Sequence, residues 1–204
     1  TDMFAQKADI VIRFQGGANA GHTIINEHGR FALHLLPSGI FNENTVCIIG
    51  NGVALDIHKF IQELEGIKKA GLNPKLLVSE RCQILMPYHI KLDEYEEERL
   101  GKAAFGSTKS GIAPFFSDKY SKIGIQVNEL FDDDLLKAKL KNICTLKNLT
   151  LKYVYHKPLL DEEELYATCM EYKKEIEPFV CDTHTYIQNA LKAGKEILLE
   201  GQLG

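Results

Sequence analysis

The stretch from Asn44 to Glu80 constrains the fold of this chain more than any other. The run NTVCIIGNG is short, apolar and closed by glycine, as expected of a strand buried on both faces. In the next run, VALDIHKFIQELEGIKKAG, Val53, Leu55, Ile57, Phe60, Ile61, Leu64 and Ile67 recur at helical spacing, and Gly71 is placed as the stop. PKLLVSE then returns to strand character. A strand, a helix and a second strand in this order predict a crossover between parallel neighbours. DIVIRF, Asp9 to Phe14, adds a buried strand upstream, and KEILLEG adds one far downstream. TIINEHGRFALHLLPSG reads as two strands about a turn at NEHG. The expected fold class is α/β, with a mainly parallel sheet core and an inserted helical subdomain.

The insertion is read from a change of texture after about Glu80. HIKLDEYEEERLGKA is a charged helix, and its DEYEEER run reads as a solvated face. FDDDLLKAKLKNICTLKNLTLKYVY opens on acidic residues suited to a helix N-terminus. DEEELYATCMEYKKEIEPFV and CDTHTYIQNALKAG read as two further helices, stopped at Gly194. The predicted division is a core over 1–79, resumed by 195–204, and a helical insertion over 80–194 that carries a long loop at 103–122.

Composition excludes some classes. With 24 basic and 28 acidic residues among 204, a formal charge of -4 offers no general attraction to nucleic acid or to an acidic membrane. The cysteines, Cys47, Cys82, Cys144, Cys169 and Cys181, are irregularly spaced without a C-x-x-C. That pattern predicts free thiols in a reducing compartment and no zinc site. No apolar run approaches membrane-spanning length, and the opening TDMFAQKADIVIRF lacks the pattern of a signal peptide. A cytoplasmic location is expected. Both ends read as cut, through a helix end feeding a strand and a strand running into a Gly-rich turn, so a fragment is expected.

Two loops carry the candidate chemistry. QGGANAGHT, Gln15 to Thr23, directly follows the DIVIRF strand, where parallel α/β folds bind ligands. Its glycines permit close backbone approach, and Asn19, His22 and Thr23 add an amide, an imidazole and a hydroxyl. It matches neither generic nucleotide motif, and a plain structural turn is the competing reading. The second loop, AAFGSTKSGIAPFFSDKYSK, joins Ser107, Thr108 and Ser110 to Lys109, Lys119 and Lys122, a composition that suits a phosphate monoester; a solvated connector is the alternative. The terminal LEGQLG is a third candidate, again at the end of a strand, and carries Glu200 and Gln202. Among the histidines, His34 reads as a half-buried strand residue and His28 as a turn residue. His58, His89, His156 and His184 read as surface or satisfied core positions.

The blocks VIRFQGGANAGHTI, HLLPSGIFNENTVCIIGNGV, GSTKSGIAPFFSDK and LLEGQLG resemble, in order and at similar separations, those of the adenylosuccinate synthetase family. The resemblance runs over the whole chain. The family's chain is about twice as long, with a phosphate loop before this region and guanine and aspartate recognition after it. The resemblance therefore implies a central portion of a GTP-dependent ligase, inactive alone. The family joins inosine monophosphate (IMP) and L-aspartate into adenylosuccinate through 6-phosphoryl-IMP, with magnesium, as a homodimer whose sites are shared. A non-catalytic remnant that binds a purine nucleotide or dimerises is the alternative.

Carried over residue by residue, the resemblance makes His22 the catalytic acid. Asn19, Ala20, Gly21 and His22 would line the IMP site. Gly21, His22 and Thr23 would face GTP, with the Gly21 carbonyl on magnesium. Ser107 and Thr108 stand where the family has two adjacent threonines at the IMP 5′-phosphate. Lys122 replaces an arginine that reaches the neighbouring subunit's IMP, and Ser110 replaces another arginine. The family's EGAQG reads EGQLG here, which assigns Gln202 to the nucleotide, or Leu203 if the turn keeps its family register. GTP, IMP and L-aspartate are the implied partners, with no nucleic acid and no membrane.

Overall fold

The alternation of apolar runs and amphipathic helices becomes a parallel sheet in a computed structural model that describes residues 2–5, 7–27 and 29–202. In chain order the elements are α1 (Asp2–Ala5), β1 (Ile10–Gly16), β2 (His22–Asn26), β3 (Gly29–Leu33), β4 (Val46–Leu55), α2 (Ile57–Lys69), β5 (Lys75–Ser79), β6 (Gln83–Ile84), α3 (Pro87–Leu100), α4 (Ile112–Tyr120), α5 (Asp133–Thr150), α6 (Glu162–Ile176), β7 (Val180–Cys181), α7 (Thr183–Lys192) and β8 (Ile197–Glu200). The expected turn residue His28 and the terminal Leu203 lie outside the described residues.

The chain forms two compact units, one built from residues up to Cys82 and from Ile176 onward, the other from Gln83 to Glu175. In the first, the sheet runs β7-β5-β4-β1-β8, and each of these neighbouring pairs is parallel. Ile10, Ile12 and Ile48 form a buried cluster against Tyr186, Ile187 and Ala190 of α7. Burying side chains of this size stabilises by roughly 1.5–3 kcal/mol each. Residues 176–194, expected with the insertion, therefore belong with the sheet. β7 pairs with β5 through Val78 and Ser79, and α7 covers the sheet face. A two-residue strand leaves no alternating pattern to read, which hid β7 inside a helical-looking run.

β4 also differs from expectation. It does not stop at Gly50–Gly52 but continues to Leu55, and α2 starts only after Asp56, whose side chain accepts from the Lys59 amide at 3.1 Å. The register of β1 on β4 shifts between Arg13 and Gln15, which marks a bulge. A Cβ on Gly52 would lie 2.1 Å from the Phe14 carbonyl oxygen, so glycine here allows two backbones to approach inside the strand.

The second unit packs α3 to α6 around buried Leu92, Phe115, Leu136, Leu140, Ile143 and Tyr172. The expected long loop at 103–122 is helical in its second part, as α4. Gly111 (φ 74) turns the chain into that helix, and Phe115 is buried on it. A buried polar group fixes this region. The Asp118 carboxylate accepts from Tyr88 Oη at 3.1 Å, from His89 Nε2 at 3.1 Å and from Lys147 Nζ. His89 Nδ1 accepts from the Met86 amide at 2.9 Å, so the ring is neutral and donates through Nε2. Burial likewise holds the His89 pKa below 6.5, against the pull of Asp118.

Candidate functional site

The chain leaves β1 for β4 on one side of the sheet, while β8 lies on the other side of β1. Ligands in parallel sheets bind beyond the carboxyl ends of strands at such a reversal. Here the loops that leave β1 and β8 meet. Gln202 Nε2 donates to the Gly17 carbonyl at 2.9 Å and to Asn19 Oδ1 at 2.5 Å. Gly16 (φ 89) makes room for this contact, since a Cβ there would come within 2.5 Å of Gln202 Oε1. The glycine-rich run thus admits a second loop as well as exposing backbone. Asn19, Gly21 and Thr23 are exposed, Ala20 and His22 half-buried.

His22 opens β2, paired with Leu33 of β3. Its Nε2 is buried and has no hydrogen-bond partner among the described residues. Burial lowers its pKa below 6.5; Glu200 pulls the other way, and Arg13 adds to the lowering. The imidazole is therefore held neutral and donates from one nitrogen only. A Cβ on Gly21 would meet the His34 ring at 2.6 Å, so glycine lets that ring lie against the backbone just before His22. His34 sits one residue past β3, with its Nδ1 also buried and unpartnered among the described residues.

A charged layer underlies these groups. Arg13 and Glu200 are direct partners in the β1–β8 register, 1% and 4% exposed, with Nη1 and Oε1 3.5 Å apart. Glu200 Oε2 accepts from the Ser38 amide at 2.9 Å and its hydroxyl at 2.5 Å. Glu63 of α2 accepts from three successive amides, those of His34, Leu35 and Leu36, at 2.7 to 3.3 Å. A carboxylate that gathers three amides fixes a loop firmly. Sequence reasoning missed Arg13, His34 and Glu63. Arg13 carried a signal, since a charge inside an apolar strand requires a buried partner. Glu63 carried none that distinguishes it from a solvated helix residue.

The remaining candidates lie in the second unit. Ser107 and Thr108 share a turn that ends at Gly111, and Thr108 Oγ1 lies 2.5 Å from Ser110 Oγ. Lys122 is exposed (φ 61) just past the far end of α4, a helix that spans about 14 Å at ordinary helical rise. It does not join the 107–111 turn. The DEYEEER run is not wholly solvated, because its first residue, Asp93, is 6% exposed and bonded to that turn.

The family model described as adenylosuccinate synthetase matches residues 1–204. Adenylosuccinate synthetase of Thermoanaerobacter sp. (strain X514) is 44% identical over 205 residues, covering 100% of this chain and 48% of that protein. The enzyme of the same name from Dehalococcoides mccartyi (strain CBDB1) is 42% identical over 204 residues, covering 100% and 48%. The chain thus spans about half the length of the curated relatives it matches. Among solved structures, fully ligated adenylosuccinate synthetase from Plasmodium falciparum superposes with a TM-score of 0.83 at 30% identity, over 98% of this chain and 47% of that one. Cyanophage S-2L succinoaminodeoxyadenylate synthetase shares the fold at a TM-score of 0.57 and 18% identity, over 98% and 45%.

Proposed function

The chain belongs to the adenylosuccinate synthetase family, and from that premise we propose that the protein carrying it joins IMP and L-aspartate at the expense of GTP. The observation that carries this reading is the meeting of two strand-end loops, where Gln202 contacts Gly17 and Asn19, in a run whose His22 keeps a buried Nε2 without a hydrogen-bond partner among the described residues. The γ-phosphoryl group of GTP passes to the 6-oxygen of IMP, and GDP leaves. The amine of aspartate then attacks the purine carbon that bears this oxygen, and the carbon–oxygen bond breaks as phosphate departs with the oxygen. His22, held neutral, donates a hydrogen bond to charge that develops on the transferring phosphoryl group. Asn19, Ala20, Gly21 and Gln202 line the IMP site, and Thr23 lies beside GTP. The turn with Ser107 and Thr108 receives the 5′-phosphate, and Lys122 serves the IMP of a partner subunit. The resemblance puts the family's phosphate loop outside these 204 residues, and on that reading the isolated chain does not turn over.

Magnesium fits this donor set as a nucleotide-borne ion. No group of three or more His, Cys, Asp or Glu residues among those described could cage a metal. Gly21 offers a backbone oxygen, which suits an ion held mostly by phosphate oxygens and water. Such an ion, when bound, neutralises phosphate charge. No helix among the described residues is long and apolar enough to cross a membrane.

The test is an assay of the protein that carries this chain for adenylosuccinate formation from IMP, L-aspartate and GTP with magnesium. Turnover that depends on all three substrates supports the proposal. Absence of product from a folded protein that binds none of them overturns it.

A further inference from the structure

The turn from Ser107 to Gly111 is held at both ends by one side chain. Asp93, on the first part of α3, accepts from Ser107 Oγ through Oδ1 at 2.7 Å and from the Gly111 amide through Oδ2 at 2.9 Å. Four groups of this segment turn toward α3, because Glu97 also accepts from the Phe105 and Gly106 amides, each at 3.0 Å. The single hydroxyl proton of Ser107 is committed to Asp93, and its oxygen accepts from the Lys109 amide at 3.0 Å. While those bonds stand, Ser107 cannot donate to a phosphate. What the turn leaves exposed is Thr108 and Lys109, with Ser110 half-buried; the hydroxyls of Thr108 and Ser110 lie 2.5 Å apart and share one hydrogen bond, so one of the two protons stays available to an anion. Lys109 is held at φ 53, a left-handed conformation unusual for a residue with a side chain. Gly111 closes the turn against α3, where a Cβ would lie 2.8 Å from the His89 carbonyl carbon and the Ile90 nitrogen.

We propose that Asp93 is a positioning residue for the nucleotide's phosphate: it pins Ser107 and Gly111, and through them fixes Thr108, Lys109 and Ser110 in the arrangement that meets the anion. This rests on the reading of the turn as the IMP 5′-phosphate site. Ser107 then contributes as a staple rather than as a phosphate donor. A buried carboxylate so near an anion site would repel the anion if its only role were electrostatic. Its two bonds to the turn give it a mechanical role instead.

The test measures IMP binding by titration calorimetry in the protein that carries this chain, with Asp93→Asn, Ser107→Ala, the double variant and Thr108→Ala. An asparagine keeps one acceptor oxygen and turns an amino group toward the other donor, so at least one of the two bonds is lost. The dissociation constant for IMP should rise about tenfold in Asp93→Asn, the ordinary cost of losing a hydrogen bond to a charged group. Ser107→Ala should weaken binding too, and the double variant should be little worse than Asp93→Asn, because the two residues act as one unit. Turnover at saturating IMP should change less than the KM for IMP. If Thr108→Ala weakens IMP binding and Asp93→Asn does not, the positioning role is overturned while the phosphate-site reading stands. If Thr108→Ala is also without effect, the turn is not the phosphate site, and the proposal falls with that reading. Should Asp93→Asn fail to fold, amide hydrogen exchange in Ser107→Ala decides. Faster exchange at Lys109 and Gly111 together with weaker IMP binding supports the staple. Weaker binding with unchanged exchange means that Ser107 touches the nucleotide itself, and overturns it.

Discussion

Arg13 and Glu200 stand side by side on neighbouring strands, both almost wholly buried, with Nη1 3.5 Å from Oε1. The β1–β8 register alone brings together two charges that lie 187 residues apart in the chain. The same carboxylate reaches Ser38 through its other oxygen, so the pair ties both strand ends to the segment at 37–41.

Glu200→Ala should therefore destabilise the protein strongly. It removes the paired carboxylate of a buried guanidinium and leaves only the weaker pull of Glu63, and breaking a buried pair ordinarily costs about 3–5 kcal/mol. Denaturant unfolding followed by circular dichroism checks this. A loss under about 1 kcal/mol, the size of an exposed pair, would show that water or Glu63 makes good the missing carboxylate and would refute this prediction.

In the protein that carries this chain, His22→Asn should leave the fold intact and lower turnover by about one hundred- to one thousandfold, the usual cost of disturbing one donor to developing transition-state charge. The measurement is kcat at saturating substrates, beside an unchanged unfolding midpoint. Turnover within about threefold of the parent, far short of that range, would reduce His22 to a loop residue.

The sheet was legible where its strands were long enough to show a period. DIVIRF, NTVCIIGNG, PKLLVSE and KEILLEG all became strands, and the Gly-rich run did leave the first of them. β7 was not legible, because two residues carry no period and their strand character comes from pairing with β5. The Gly50–Gly52 run misled because glycine marks both a turn and a bulge; only the closeness of Phe14 distinguishes them. Of the residues proposed for the site, His22, Asn19 and Gln202 stand out in the sequence by type and place, and the contact of Gln202 with Asn19 is seen in the fold. Glu63 and Asp93 were not, since a carboxylate on an amphipathic helix looks solvated until the loop folded over it is known.

Stability should also fall on acidification, starting near the ordinary histidine value. Burial holds both His22 and His89 below 6.5 in the folded protein. Between the folded and unfolded values the unfolded chain binds more protons. Stability is therefore full above the unfolded value and is lost as pH falls from about 6.5 toward the folded values. The unfolding midpoint in denaturant should be flat from about pH 8 to 7 and fall below that, with a shallower fall in His22→Asn. A midpoint that rises between about pH 7 and 5.5 would reverse the sign and refute neutral buried imidazoles.

The last prediction concerns Lys122 and a shared site. Lys122 is exposed at the end of α4, away from the 107–111 turn, which leaves it free to serve a second subunit. A lysine meets a phosphate as a point charge, without the paired bonds of an arginine. Lys122→Ala should raise the KM for IMP about tenfold, as for loss of one charged hydrogen bond, and leave that for GTP nearly unchanged. Mixing Lys122→Ala with His22→Asn gives the sharper result. If each site takes His22 from one subunit and Lys122 from the other, a mixed dimer gathers both defects in one site and leaves its second site intact. Activity at low IMP should then exceed that of either variant alone. If mixed dimers form and activity does not rise, Lys122 acts within its own subunit or has no part in the site.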